Sequence, residues 1–395
     1  MTKPLEDIRV LDLSRVYAAP AGAMLLADLG ADVIRVEEPE GTDSMRDWGP
    51  FLNGESTYYF SANRNKRSIT LNLKEEKGKK MFLELVKKSD VVIENFKTGT
   101  MEKMGLGFEV LEKVNPRIIL CSVTGFGHTG PLSKNPGFDP VVQAMSGLMD
   151  VTGANDGEAT KVGIPIADIL TSLYVALSVT AAIRQRDTSG KGQSIDLSLL
   201  DVQVSSLANV ASGYINTGMI SERLGNRHNN VTPYQVFQCV DDPIMICAGN
   251  DSLFRKLAIL LGHSEWGTDE RYKTNSARKN HEVELIDQMS VIISTLSADE
   301  WLTKLAEAGV PAGRVNNIAQ ALEQDQIVAR DTVETMKHKV AGDIKLIKNP
   351  MRFSNLGIES RLAPPTLGEH TESIYTELLG LDDSELRELK INNVI

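Results

Sequence analysis

Strand-like and helix-like runs alternate through the first 125 residues, and that alternation leaves few ways to fold. Ile8–Leu13 (I-R-V-L-D-L) has strand composition, Ala18–Leu29 is rich in Ala and Leu and stops at Gly30, and Asp32–Glu37 reads as the next strand. The pattern recurs. It predicts a strand over Arg67–Leu73, a helix over Glu75–Lys88, a strand over Asp90–Glu94, a helix over Met104–Val114 and a strand over Arg117–Thr124. Successive βαβ units require a parallel sheet, because a crossover helix and not a hairpin joins parallel neighbours. The expected fold class is α/β, with a doubly wound, Rossmann-like large domain. The turn after the first strand reads S-R-V-Y-A-A-P-A-G (Ser14–Gly22), which is not G-x-G-x-x-G. The dinucleotide fingerprint is therefore missing. The backbone N–H groups of that helix start can still hold an anion.

After Gly125 the texture changes. Gly125–Asn155 is glycine-rich, and Ile166–Arg184 and Leu199–Ile215 read as helices. A more mixed region runs to about Asn317, with a strand at Pro243–Ala248 and helices at Leu253–Leu261, His281–Leu296 and Asp299–Ala308. It reads as a second, smaller α/β domain, in keeping with 395 residues. The net charge of -11 argues against nucleic acid or an anionic membrane as partner, since both reward a basic footprint. Cys121, Cys239 and Cys247 form no C-x-x-C pair and the six histidines have no ligand spacing, so neither a metal site nor a disulfide framework is expected. The opening M-T-K-P-L-E-D-I-R-V lacks the apolar run of a signal peptide, and Ile164–Ala182 is interrupted by Pro165 and Asp168. That stretch reads as a core helix and not a membrane span, and a cytoplasmic protein is expected.

Asp168 stands out in V-G-I-P-I-A-D-I-L-T-S (Val162–Ser172), where its neighbours are apolar or small. An unpaired buried carboxylate costs several kcal/mol, roughly, so it needs a reason to be there. Asp168 is either the N-cap of the helix that follows or a desolvated catalytic carboxylate. Positive charge gathers in N-R-N-K-R-S-I-T-L-N-L-K (Asn63–Lys74), and Lys97 and Lys103 follow the next strand. These cations either guard a strand edge or cradle a phosphate at the strand ends, where α/β sheets bind ligands.

Together the motifs resemble the family III CoA-transferases. They are V-L-D-L-S-R-V-Y-A-A-P, G-A-D-V-I-R-V-E, N-R-N-K-R-S-I-T-L-N-L-K, V-I-E-N-F-K-T-G, N-P-R-I-I-L-C-S-V-T-G-F-G, A-D-I-L-T, G-K-G-Q-S-I-D-L-S-L-L-D and P-P-T-L-G-E-H-T, in that order from end to end. The resemblance implies that Asp168 is the nucleophile, with Tyr17 close to the reaction centre. It places Val16, Ala18, Arg64, Lys66, Leu71, Lys74, Asn95, Phe96, Lys103 and Met104 against CoA. It implies acyl-CoA as substrate, no metal, a small carboxylic acid as the second substrate, and an interlocked-ring homodimer. The corresponding organisation is a large CoA-binding α/β domain over 1–205, a linker over 206–225, a small domain over 226–320, a second linker over 321–350, and a return to the large domain over 351–395. The stretch G-F-G-H-T-G-P-L-S-K-N-P-G-F-D-P-V-V-Q-A-M-S-G looks most like the acetyl-CoA:oxalate branch, favouring oxalate or another small dicarboxylate.

Two departures bear on the chemistry. A 2-methylacyl-CoA racemase of the same fold needs a histidine in a G-H-D motif, whereas Gly137–Asp139 reads G-F-D, and Phe138 cannot carry a proton. The glycine-rich loop of formyl-CoA:oxalate transferases is replaced by N-R-H-N-N-V-T-P-Y (Asn226–Tyr234), whose Arg227, His228 and Tyr234 either meet a carboxylate or staple the linker. A non-catalytic CoA-binding protein is the other reading, and it would not need Asp168.

Overall fold

In the computed structural model, residues 3–395 are described. They divide into two compact units. The larger comprises residues up to 149, 161–219 and 328–395, and the smaller comprises 150–160 and 220–327.

The larger unit is built on a six-stranded sheet. Its strands are β1 (Arg9–Asp12), β2 (Asp32–Glu37), β3 (Lys66–Thr70), β4 (Val91–Glu94), β5 (Ile119–Thr124) and β6 (Gln193–Ser198). Their spatial order is β3-β2-β1-β4-β5-β6, and every neighbouring pair is parallel. The order reverses direction between β1 and β4. Open parallel sheets place their ligand crevice outside the carboxyl ends of the strands at such a switch point.

Strand alternation sends side chains to opposite faces. Leu11, Ile34, Ile69 and Val92 join one core, and Val10, Val33, Val91 and Ile93 the other. The first face is covered by α3 (Glu76–Val86), α4 (Phe108–Val114) and the C-terminal helices Thr371–Leu379 and Asp383–Ile391, through Phe82, Leu111, Tyr375 and Leu386. The chain's end therefore completes the layer that its beginning starts. The second face is covered by α1 (Ala18–Asp28) and by the 24-residue α6 (Ile166–Ser189). These two helices pack directly on each other, with α2 (Thr57–Asn63) beside α1 and α5 (Asp139–Met145) beside α6.

Helix α6 is long and apolar enough to cross a membrane by length and composition. It is instead packed on the sheet through Ala167, Val175, Val179, Ala182 and Ile183. The expected single helix over Leu199–Ile215 is two, α7 (Leu199–Ser205) and α8 (Ala208–Thr217), broken where Ala208 takes φ 44°. Residues 321–350, read from sequence as a linker, include a hairpin of the larger unit, β10 (Val333–His338) with β11 (Gly342–Ile347).

The smaller unit has its own three-stranded antiparallel sheet of β7 (Tyr234–Gln238), β8 (Pro243–Cys247) and β9 (Ala312–Arg314). Phe237, Ile244, Phe254, Trp266, Met289 and Trp301 form its core. His228 and Tyr234 lie here, their rings 5.1 Å apart.

Helix α1 can lie close to α6 because residue 22 is glycine. A Cβ at Gly22 would stand 2.6 Å from Val175 Cβ. Gly22→Ala is expected to destabilise the protein by about 1–2 kcal/mol, the overpacking cost less a small gain in helix propensity. Adding Val175→Ala removes the Cγ1 that would also stand at 2.6 Å, though not the Cβ, and should restore part of that loss, as read from urea denaturation midpoints. A second substitution whose cost simply adds to the first would show that the two side chains do not compete for the same space.

Candidate active site

At the switch point the chain leaves β1 through Ser14–Tyr17, and its backbone is held from both sides. Asn95, just past β4, accepts from Arg15 N–H at 2.8 Å and donates to the Arg15 carbonyl at 2.7 Å. Asp43 accepts from Val16 N–H at 3.0 Å. Val16 has φ 64°, a left-handed conformation that is costly for a β-branched residue. The two flanking clamps hold it there. The result is that Tyr17 and the start of α1 face the crevice.

Two cavities with shared walls follow. One, of about 490 Å³, is lined among others by Val16, Tyr17, Ala18, Asn95, Phe138 and Asp168. The other, of about 230 Å³, is lined by apolar Leu13, Val36, Leu71, Leu73 and Met104, with Glu38 and Lys74 at its rim. Arg15, Phe96 and Thr100 belong to both. The Arg15 guanidinium lies 5.6 Å from the Phe96 ring centroid and 3.1 Å from Glu38, whose other oxygen meets Lys74 at 2.9 Å. An apolar slot with cations at its mouth suits a nucleotide base and its phosphates, and the larger cavity suits the arm that such a nucleotide carries.

Asp168 lies in the first turn of α6, at the wall of the larger cavity. It is not the cap. Asp139, the first residue of α5, supplies that function from outside: its Oδ1 accepts from Ala167 N–H at 2.7 Å and Asp168 N–H at 3.3 Å. Its Oδ2 accepts from Gln143 at 2.6 Å, and Gln143 in turn accepts from Val162 N–H. Asp139 thus takes backbone donors that would otherwise meet Asp168. Burial, and then the neighbouring charge of Asp139, push the Asp168 carboxyl up to about 7. Burial, with the Asp168 charge, also raises the Tyr17 phenol, so it stays a hydrogen-bond donor. Tyr58 is raised in the same way, and its ring packs edge-on to Tyr17 at 6.0 Å.

Most of the sequence-predicted residues meet here. Val16, Tyr17, Ala18, Asn95, Phe96 and Asp168 line the larger cavity, and Leu71, Lys74, Phe96 and Met104 the smaller. Three cations do not, and the phosphate-cradle reading is corrected for them. Lys66 is fully buried, and its ammonium is spent on Asp12, the Pro20 carbonyl and Asn63. Arg64 is buried in a two-point pair with Asp28 and also donates to the Ile347 carbonyl. Lys103 is exposed and lines neither cavity. Arg15 and Asp139 were not foreseen. The signal for Arg15 was its place in the first strand's turn. Asp139 was visible only as the acid after Phe138.

Fold and site define a doubly wound α/β protein with a poorly solvated carboxylate, Asp168, lining the cleft at its sheet's switch point. Residues 5–371 match CoA-transferase family III, and the chain belongs to that family. It is 41% identical over 382 residues to succinate–glutarate CoA-transferase of Agrobacterium fabrum, covering 95% of this chain and 96% of that one. It is 38% identical over 376 residues to acetyl-CoA:oxalate CoA-transferase of Acetobacter aceti, covering 95% of each. A CAIB/BAIF family protein from Brucella suis, known from its crystal structure, is 40% identical, with a TM-score of 0.85 over 96% of this chain and 100% of that one. The protein is an enzyme that moves CoA between an acyl-CoA and a carboxylate.

Two outcomes are expected from the site's electrostatics. Lys74→Ala should raise the KM for acyl-CoA roughly tenfold without unfolding the protein, as one charge-assisted contact is lost. Lys66→Met should instead lower stability by about 2–4 kcal/mol, because buried Asp12 loses its shorter ion pair and keeps only Arg35 at 3.4 Å. Equal effects of both on KM alone would restore the phosphate reading for Lys66. The second outcome concerns Asp168. Its folded pKa lies above the unfolded value, so the native state holds the extra proton between about pH 4 and 7 and loses stability as pH rises through that window. Asp168→Asn should therefore be more stable than the parent at pH 8, by about 1–3 kcal/mol, with the difference gone below about pH 4. Urea midpoints at the two pH values measure it.

Proposed function

We propose that Asp168 is a covalent nucleophile and that the acids exchanged are small dicarboxylates. The observation that carries the first part is a carboxylate starved of solvent and of backbone donors, at the wall of a cleft that leads from an apolar, cation-rimmed slot. Such a carboxylate is a better nucleophile than one in water. It attacks the thioester carbonyl of the donor, the C–S bond breaks, and a mixed anhydride and CoA thiolate form. The thiolate then attacks the Asp168 acyl carbon, giving an aspartyl-CoA thioester and releasing the donor acid. The acceptor carboxylate attacks that thioester, again giving an anhydride and thiolate. The thiolate finally attacks the acceptor's acyl carbon, and Asp168 returns as a carboxylate. Each nucleophile is already an anion, so no general base is required. Tyr17 supplies a neutral phenol donor beside the reacting oxygens, and Asp139 fixes the backbone of Asp168.

The dicarboxylate reading is supported by the substrates printed in the names of the relatives, glutarate and succinate for one and oxalate for the other. The oxalate-branch motifs do not outweigh the likeness to the succinate–glutarate enzyme, which favours a four- or five-carbon diacid. A homodimer belongs to the same proposal. Leu173 and Leu177 on α6, and Tyr214 and Ile215 on α8, are exposed apolar side chains of the larger unit, and exposed apolar surface of this kind calls for a partner. Racemisation is disfavoured, because Phe138 offers no proton carrier for the second face of the substrate.

The test is chemical. Incubation with succinyl-CoA and hydroxylamine should convert Asp168 to a hydroxamate, found by peptide mass spectrometry, and Asp168→Ala should lose at least about three orders of magnitude in turnover. For the parent, kcat/KM should rise with pH through about 7 as the carboxyl ionises. Rapid α-deuterium exchange into 2-methylacyl-CoA, with no acid-dependent CoA transfer, would sink the covalent reading in favour of a base.

A further inference from the structure

A third cavity, of about 580 Å³, lies behind Tyr17, which also walls the cleft of Asp168. The Tyr17 phenol meets the Ser61 hydroxyl and feels the charges of both Asp168 and Arg64, so the two spaces are electrostatically close. Tyr17 is the residue that lines both, and helix α2 supplies one wall of the third cavity. The helix's Tyr58 senses Asp168, while Ser61 and the following Arg64 line the third cavity. The opposite wall is strand β11.

The walls have a consistent chemistry. Leu52, Phe60 and Ile344 supply apolar surface. Arg64 has five N–H donors, of which three are spent on Asp28 and the Ile347 carbonyl, leaving two. Lys345 is exposed and has no ion pair among the described residues. The one acid on the wall, Asp343, is paired with Lys337 at 2.7 Å. The backbone adds a donor. Lys348 N–H bonds back to Thr332, so that residue's peptide groups face β10, whereas the Ile347 carbonyl faces Arg64. Peptide groups alternate along a strand, so Lys345, two residues before Ile347, turns its N–H to the same free edge.

We propose that this cavity is the subsite for the distal carboxylate of a dicarboxylic acid substrate, with Lys345 and Arg64 as its cations and Tyr17 as the rim over which the methylene chain passes. The inference rests on the dicarboxylate reading of the function. It gives that reading a physical basis: a monocarboxylate of equal length would leave the cations of the third cavity unmet.

The experiment uses the full chain with acetyl-CoA as donor, whose acyl group carries no second carboxylate, and two acceptors of equal length, glutarate and valerate. Lys345→Met should raise the KM for glutarate about tenfold or more, with the KM for acyl-CoA and for valerate unchanged. Lys345→Arg should recover most of the loss. Ile347→Trp, which narrows the cavity without touching a charge or Tyr17, should also raise the KM for glutarate selectively. If the parent prefers glutarate but the variants change both acceptors equally, or neither, the subsite is wrong while the dicarboxylate reading stands. If the parent shows no preference for glutarate, both fall. A shift in sedimentation of Lys345→Met, with no selective change in KM, would overturn the subsite by assigning the open edge of β11 to subunit contact.

Discussion

Asp12, Arg35, Lys66 and Asp43 form a buried ion network beneath the first turn, and the site depends on it. The Lys66 ammonium meets Asp12 at 2.8 Å, Arg35 bridges Asp12 and Asp43, and Asp43 accepts from Val16 N–H. Burial opposes the charge on Asp12, but Lys66 and Arg35 outweigh it and hold the carboxyl below its ordinary value. Three elements are tied together in this way: β1 through Asp12, β2 through Arg35, and the start of β3 through Lys66. Buried ion pairs add little net stability against a well-packed apolar core. Their value here is specificity. A left-handed Val16 persists only where its surroundings over-determine it, and the Asp43 carboxylate is one of the two clamps that do so.

The same network explains what could be read from the sequence and what could not. The alternation of strands and helices gave a parallel α/β layer because both periods are local. The family motifs gave Asp168. The cations Arg64 and Lys66 were placed against phosphate because a sequence shows their charge but not their partners. Those partners are Asp28, 36 residues before Arg64, and Asp12, 54 residues before Lys66. The sequence leaves Asp168 open between helix cap and catalytic carboxylate for the same reason. An acid just before an apolar helix is the usual cap, but here the backbone donors are met by Asp139, 28 residues before Ala167. The hairpin of β10 and β11 was hidden by composition: Val333–His338 and Gly342–Ile347 mix polar residues with few apolar ones, and only Ile344 and Leu346 reach a core.

Asp139 and Asp168 are the same residue type with different roles, set by what each can reach. Asp139 is surrounded by N–H donors, which solvate a charge without water. Asp168 has burial and a like charge instead, which raise the free energy of its ionised form. One carboxylate is spent on holding the helix, and the other is left poorly solvated where a substrate arrives. The stability lost by that arrangement is reactivity held ready in the ground state.

The covalent mechanism proposed above would make water exclusion the remaining requirement. A mixed anhydride and a thioester both hydrolyse, and each hydrolysis wastes a CoA transfer. Val123 and Thr124 of β5 and Asp168 of α6 line the cleft, and Tyr17 closes one side. The rim is less complete: Phe138 is 60% exposed although it stands beside Asp139 at the cleft wall. A large apolar side chain so placed cannot carry a proton, but it can seal an opening once something packs against it. The exposed apolar side chains of α6 and α8 belong to the same unit, so the homodimer proposed above would bury both that surface and the rim of the cleft.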